Sequence, residues 1–600
     1  MKMAESKYNK LKEKYQAMIE RQTHTINLIS NIRLVVFLIG TVLGIYFLVK
    51  KSYGLFGWDL GVFLIFFIPL IILHNHYLNK RNYSIVLLKI NEESLKRIHG
   101  EWNSFTDDGS EFLDDSHNYS QDLDIFGPGS LFQFINTTIT YLGRRKLREF
   151  LISPTRSAEE IINRQEAVQE LTQKLGWRQQ YQAEGMLEST IQDPQALFLW
   201  ANSTEGFYRN PRVIFIFRFI PAITIIIGIL TFLNPETRYY TLIAALVIQY
   251  IILKINANQR GAILGVAYKY TENIKAYHKM LILLEQEDYS SRHLQHLKNR
   301  LKSQGLTAGE QIRKLEKIVE AIANRQNQLY IFFNIVLLLD YQFVFALEKW
   351  KEKSGTNLQV WLDIIGEFEA LSSLAVLSHD YPEWRTPQIS VEGPVFTAEA
   401  MGHPLLVNSG VANNLKFEPP EKILLITGSN MSGKSTLLRT VGTNLVLAYA
   451  GGNVCAKMFK CSIMDIYTCM RINDNLEKNI SSFYAELLRI KMIIKAVEEG
   501  QTIFFLLDEI FKGTNSIDRH TGAKVLIKKL SKAKLLGLVS THDLELGVLE
   551  KESNQIKNYH FQEYYQNNEI RFDYKLRPGV SNTRNAAFLM RMAGIEYSEE

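Results

Sequence analysis

KILLITGSNMSGKST, residues 422–436, is a buried-strand pattern that turns straight into a polar loop bounded by glycines. Lys422–Thr427 supplies the strand, and the loop runs through Gly428, Ser429, Asn430, Met431, Ser432 and Gly433 to a helix start at Lys434, Ser435 and Thr436. Glycines let successive backbone N–H groups turn inward on phosphate oxygens, and the following helix adds its positive N-terminus. This spacing predicts a complete P-loop (Walker A) cradle for ATP, with Lys434 reaching the β- and γ-phosphates and the Ser435 hydroxyl on Mg²⁺.

Downstream, Phe504-Phe-Leu-Leu is a second core-strand pattern ending in Asp508 and Glu509. Asp508 is expected to hold the Mg²⁺ shell and Glu509 to polarise the attacking water. A third strand, LLGLVS (535–540), ends in Thr541, His542 and Asp543. A histidine placed there can sense the γ-phosphate or orient water, so Lys434, Glu509 and His542 form the predicted catalytic set. Short β-rich runs alternate with helices beyond Pro382, Pro387 and Pro394, the pattern of a doubly wound α/β domain over 382–600.

Upstream, the pattern is helical and punctuated by apolar runs. Residues 1–30 read as a polar helix, and apolar runs at Leu34–Val49 and Leu60–Leu73 define a first transmembrane hairpin, 31–80. Runs at Val213–Leu233 and Tyr239–Leu253, joined through Asn234-Pro-Glu-Thr-Arg238, define a second, 212–254. Helical-core segments are expected at 81–211 and 255–381, with a polar acidic loop near Thr106–Asp124. Tyr330–Leu347 is also apolar but carries Asn334, Asp340 and Gln342, which predicts burial in the helical core rather than a fifth span. The expected architecture is thus α plus α/β: a helical core and lever with four transmembrane helices, then an ABC-type P-loop ATPase domain.

The chain has 600 residues, a formal charge of +6 and 46% hydrophobic residues, which calls for more than one domain and permits contact with nucleic acid or anionic lipid. Cys455, Cys461 and Cys469 lack metal-ligand spacing and are expected to be reduced thiols. The first thirty residues are too polar for a cleavable signal peptide. Basic residues at 2–33, 80–89 and 254–259 place the soluble parts on the cytoplasmic side of the cytoplasmic (inner) membrane, in a multi-pass protein.

TGSNMSGKST (427–436), LLDEIFKGTNSIDR (506–519) and STHDLEL (540–546) together resemble the MutS family of DNA mismatch-repair ATPases. NISSFYAELLRI (479–490) is similar to that family's signature segment, and YKLRPGVSNTRNAAFLMRMAGI (574–595) to its C-terminal helical segment. Gly402-His403-Pro404 and Asn413-Asn414 resemble the strand and turn before the family's P-loop, and residues 124–154 the start of its core-and-lever domain. The resemblance implies a homodimer with composite sites, in which Ser481 faces the partner's γ-phosphate and Asp518 lies in the loop crossing the interface. It also implies DNA binding, including mismatched DNA. The family's Phe-x-Glu mismatch reader and its connector domain have no counterpart ahead of residue 122, where the polar helix and first hairpin stand. Phe561-Gln-Glu563 matches the three letters but follows the ATPase motifs, and is read as chance. Gly410 falls where the family's adenine-stacking aromatic is expected.

Three readings of what the ATPase drives follow. It binds DNA through its helical core, with Arg144, Arg145, Lys146 and Arg148 as phosphate contacts; or it remodels a membrane or protein partner without DNA; or it is a nucleotide-gated membrane scaffold. An ABC transporter is disfavoured because no LSGGQ-type signature is present.

Overall fold

The computed structural model describes residues 1–188, 191–204, 206–233, 235–303, 305–407, 410–471, 482–511, 515–566 and 569–580. The polar first thirty residues and the first apolar run form one unbroken helix, α1 (Lys2–Val49). It returns through Lys50–Ser52 into α2 (Tyr53–His99), and the two pack along each other as a long hairpin. Among the described residues its apolar tip is uncovered by any other element, whereas its polar base is docked on the core. At that base the Tyr8 hydroxyl donates to Asp380 Oδ1 at 2.6 Å, and Gln179 Nε2 donates to the buried Asn91 Oδ1 at 3.0 Å.

The helical core is organised on a long helix buried along most of its length. Helix α3 (Tyr141–Ile152) starts at an N-cap Thr140 whose side chain accepts from the Gly143 amide. Further along lie α4 (Pro211–Leu233), α5 (Pro235–Lys254), α6 (Ala257–Lys269), α7 (Tyr330–Leu337), α8 (Leu339–Ser354) and the central α9 (Leu358–Asp380). Helices α3 and α9 cross backbone to backbone. A Cβ on Gly366 would lie 2.8 Å from the Leu142 carbonyl carbon, so only glycine permits this approach. Beside the crossing, the buried Glu369 carboxylate accepts the amides of Ile139 (2.7 Å) and Thr140 (3.1 Å) and the Thr140 hydroxyl. Burial outweighs these bonds and pushes its pKa from 4.5 up to about 7.

The second apolar hairpin, α4 with α5, is plugged into the core at its base. The last carbonyls of a helix have no partner within it. Here the Arg260 guanidinium donates to the carbonyls of Leu253 and Ile255, and the Tyr341 hydroxyl lies 3.1 and 3.0 Å from those of Ile252 and Ile255. Arg260 also stacks 4.0 Å above the Tyr341 ring, and Gln342 donates to the Phe217 carbonyl on α4.

Among the described residues three helices are long and apolar enough to cross a membrane: α1, α2 and α4. Tyr239–Lys254 with α6, bent by 71°, and α7 with Leu339–Asp380, bent by 73°, qualify only as broken pairs. The expectation that Tyr330–Leu347 is buried holds for its second half alone. Tyr341, Val344, Phe345 and Leu347 are core residues, but Leu329, Ile331, Phe332 and Phe333 are exposed. A left-handed residue, Leu338, breaks the run into two helices, and only α8 turns into the core.

The C-terminal domain contains a six-stranded sheet. Its strands are β1 (Ile423–Thr427), β2 (Asp465–Cys469), β3 (Ile503–Asp508), β4 (Leu535–Thr541), β5 (Ile556–Gln566) and β6 (Glu569–Pro578). They lie in the order β6-β5-β1-β4-β3-β2; all neighbours are parallel except the edge pair β5–β6. Every residue of β1 and β4 is buried, as near-continuous apolar runs require when both faces are covered. A second sheet of four strands, built from Gln388–Ser390, Met458–Ser462, Phe396–Met401 and Asn413–Lys416 in spatial order, lies earlier in the domain.

Candidate nucleotide site

Parallel register brings Thr427, Ser540, Thr541 and Asp508 to one end of the sheet, since Thr541 pairs with Thr427 and Ser540 with Asp508. Ligands bind open parallel sheets at this carboxyl end. The glycine loop leaves β1 here and enters helix α10 (Lys434–Ala450), with Gly433 at φ 102°, a left-handed conformation that favours glycine.

Lys434 is buried, and its ammonium donates to the carbonyls of Gly428 (2.9 Å) and Ser429 (2.7 Å). Glu509 Oε1 lies 3.9 Å from that ammonium and in direct contact with His542 Nε2. The other ring nitrogen of His542 is 3.0 Å from the Gly428 carbonyl. Lys434, Glu509 and His542, drawn from three separate chain segments, therefore meet at the mouth of the loop. Asp508 accepts from the buried Ser540 hydroxyl, and the Glu509 amide donates to the Ser540 carbonyl at 3.0 Å. Glu509 and Phe511 both have positive φ, 50° and 62°, a local strain of the kind that collects at functional sites.

The loop has the features a triphosphate needs. Ser432 Oγ is buried and finds no hydrogen-bond partner among the described residues, a donor left for an anion. A cavity of about 420 Å³ opens over the loop, lined by Asn430, Met431, Ser435, Thr436 and Glu509 among others. Ser435 on the loop side and Asp508 on the β3 side are the residues that would hold Mg²⁺, a hard cation that takes oxygen ligands.

Several residues of this site escape sequence reasoning. Tyr574, on β6, lines the same cavity, and its ring would lie 3.1 Å from a Cβ on Gly433. Asn413 fixes β6 there, donating to the Tyr574 carbonyl (3.0 Å) and accepting from the Leu576 amide (2.8 Å). An aromatic ring is thus present although Gly410, also in the lining, provides none. Buried Glu563 accepts from the Ser429 hydroxyl and secures the loop from β5. Phe561-Gln-Glu563 is consequently part of the central sheet beside the phosphate loop, which leaves its match to a mismatch wedge as chance. His403 also lines the cavity; burial lowers its pKa to about 4, and its Nδ1 accepts the Leu405 amide.

Ser481 lies outside the described residues, as does the tail beyond residue 580. The helix that follows Ser481, α11 (Ser482–Glu498), carries buried Glu486, which accepts the Phe511 amide and so grips the turn after Glu509. Asp518 is exposed in the first turn of α12 (Ser516–Ser531), where its amide donates to the N-cap Asn515 at 2.8 Å. The four basic residues of α3 do not form a free row. Arg144 is held by Asp107 (2.6 Å) and Glu111 (2.5 Å), and Lys146 by Glu149 (3.0 Å). Arg145, Lys146 and Arg148 instead line a cavity of about 760 Å³ that they share with Arg300, Asp363 and Glu367.

The C-terminal half is therefore an α/β domain whose loop, cation and strand-end carboxylates converge as phosphate-binding chemistry requires, and it is carried on a helical core. Two family descriptions match these halves: MutS domain III over residues 116–375 and MutS domain V over 424–597. The chain belongs to the MutS family. It is 27% identical over 509 residues to a DNA mismatch repair protein MutS of Aquifex pyrophilus, covering 78% of this chain and 58% of that protein. A protein of the same name from Persephonella marina is 31% identical over 237 residues, 39% of this chain and 27% of that one. The chain thus spans less than two thirds of the length of these relatives.

Proposed function

We propose that this chain is a membrane-anchored, Mg²⁺-dependent ATPase of MutS type that works as a homodimer and engages DNA, mismatched or branched, through its helical core. The observation that carries the reading is the convergence of Lys434, Glu509 and His542 on a phosphate loop. Residues Gly428 to Thr436 hold the triphosphate, Glu509 polarises the attacking water, and His542 keeps that carboxylate oriented. Ser435 and Asp508 would hold Mg²⁺, which would supply charge neutralisation to the triphosphate. Tyr574 stacks on the adenine in place of the aromatic absent at Gly410. Ser481 and Asp518 complete the partner's site, as the family resemblance implies.

The two apolar hairpins supply four transmembrane helices and hold the protein in the cytoplasmic membrane with its soluble domains in the cytoplasm. Uncovered apolar side chains along α1, α2, α4 and α5 support this placement. DNA is supported by the relatives, each named a DNA mismatch repair protein. A second reading, an ATP-driven membrane or protein-remodelling switch without DNA, is favoured by the internal neutralisation of Arg144 and Lys146.

The two separate in a binding measurement on the full chain in detergent. Phosphate contacts release counterions, so DNA affinity must fall steeply with rising salt. Salt-sensitive binding of duplex or branched DNA is expected; no binding even at low salt would select the switch.

A further inference from the structure

Helix α7 is an apolar element that the function proposed above leaves unused. Leu329, Ile331, Phe332 and Phe333 expose 59, 57, 65 and 57% of their surface, contiguous along the chain and without a polar residue among them except the half-buried Tyr330. Eight residues make a helix about 12 Å long, far short of the roughly 30 Å of a bilayer's hydrocarbon core. The helix cannot span.

Its position is nevertheless specific. It packs against both α4 and α5 and leads, through the left-handed Leu338, into α8, whose Tyr341 and Gln342 bind the base of that hairpin. Buried and half-buried polar groups hold this turn. Tyr330 donates to Asp340 Oδ1 at 2.6 Å, Arg325 pairs with Asp340 at 3.1 Å, and Asn334 Oδ1 accepts the Asp340 amide at 3.0 Å. The apolar side chains of this turn are exposed, as are Phe215, Phe219 and Ile251 near the base ends of α4 and α5, the two helices that α7 packs against.

We propose that α7 is a re-entrant interfacial helix, whose Leu329, Ile331, Phe332 and Phe333 lie in the boundary layer of the same lipid bilayer that takes the α4–α5 hairpin. Packing against a hairpin whose own apolar side chains are exposed selects lipid as the occupant. Interfacial helices sit about 5–10 Å into the headgroup–acyl boundary, which suits an element fixed at a hairpin's base. The Asp340 clamp then ties the membrane surface to α8, the helix immediately before the central α9.

This inference rests on the membrane reading of the hairpins, and one experiment separates the two. The full chain, reconstituted in phosphatidylcholine–phosphatidylglycerol nanodiscs, is labelled with an environment-sensitive fluorophore at Phe332→Cys, Ile331→Cys, Ile226→Cys in mid-α4, or Val391→Cys on the exposed surface of the C-terminal domain. Quenching is read with lipids carrying a spin label near the headgroup or near the acyl terminus. The expected result is stronger quenching of Phe332→Cys and Ile331→Cys by the shallow label, of Ile226→Cys by the deep label, and none at Val391→Cys. Quenching at Ile226→Cys with none at either α7 position overturns the α7 proposal and leaves the hairpin standing. Absence at all of them overturns both. Each labelled protein is checked for monodisperse elution, so a misfolded variant is replaced by the other α7 position.

Discussion

At the scale of single residues, the phosphate loop was legible because its chemistry is written in consecutive positions. Gly428, Gly433, Lys434 and Ser435 are close in sequence, and the strand before them is a pure apolar run. Glu509 and His542 were legible for a related reason: each ends a core-strand pattern, and parallel strands bring their ends to one edge. Tyr574 was not. It lies 140 positions beyond Lys434 on an edge strand, and only the Asn413 clamp and the β5–β6 pairing carry it to the loop. Ring stacking contributes about 1 kcal/mol beyond buried area, so Tyr574→Ala should weaken ATP affinity by roughly fivefold and Tyr574→Phe hardly at all, as measured by titration with a fluorescent ATP analogue. Glu369 carries a second expectation. Its folded pKa is raised from 4.5 to about 7, so the folded state keeps a proton that the unfolded chain releases earlier. That contribution to stability is complete below the unfolded value and is lost as pH rises through about 7. Thermal melts between acid and neutral pH should therefore show a decline that Glu369→Gln flattens.

At the scale of elements, apolar periodicity located helices well but could not say which of them the protein would cover. Leu34–Val49, Leu60–Leu73 and Val213–Leu233 were readable as apolar helices because each is a run nearly free of charge. Tyr330–Leu347 does not behave as a unit, because its polar residues Asn334, Asp340 and Gln342 do not mark where the buried part begins. Asn334 and Asp340 bond to each other across the Leu338 break, so they make a corner rather than a buried helix. The α3–α9 crossing was likewise hidden, since Gly366 looks like any helix-weakening glycine until Leu142 is seen against it. Forcing a methyl into that crossing should cost about 1–3 kcal/mol, so Gly366→Ala should lower the denaturation midpoint while a control at exposed Gly176, which meets nothing within 4 Å, should change it little.

At the scale of the whole molecule, the polar acidic loop expected near Thr106–Asp124 ties the helical core to the nucleotide domain. Asp122 accepts the Thr468 hydroxyl (2.7 Å) and the amides of Met470 (3.1 Å) and Arg471 (2.9 Å), while Asp124 pairs with Arg471 and Arg439. Arg489 on α11 reaches back to the carbonyls of His117 and Asp115. The segment thus touches β2, helix α11 and the P-loop helix α10, giving the helical core a direct hold on the nucleotide domain. At the far end, Tyr8 anchors the first hairpin on Asp380, the last residue of α9 before that domain begins. The family was legible from motifs concentrated in 427–546, whereas these ties join residues more than 300 positions apart and leave no local pattern.

Steady-state ATP hydrolysis by the full chain tests the central claim most directly, compared with Glu509→Gln and measured with and without homoduplex, mismatched and branched DNA. The proposed function predicts Mg²⁺-dependent turnover that at least one DNA raises, and a loss of 10²-fold or more in Glu509→Gln with ATP binding retained, on the order of one general-base contribution. Turnover unchanged in Glu509→Gln, or no turnover under any of these conditions, would contradict it.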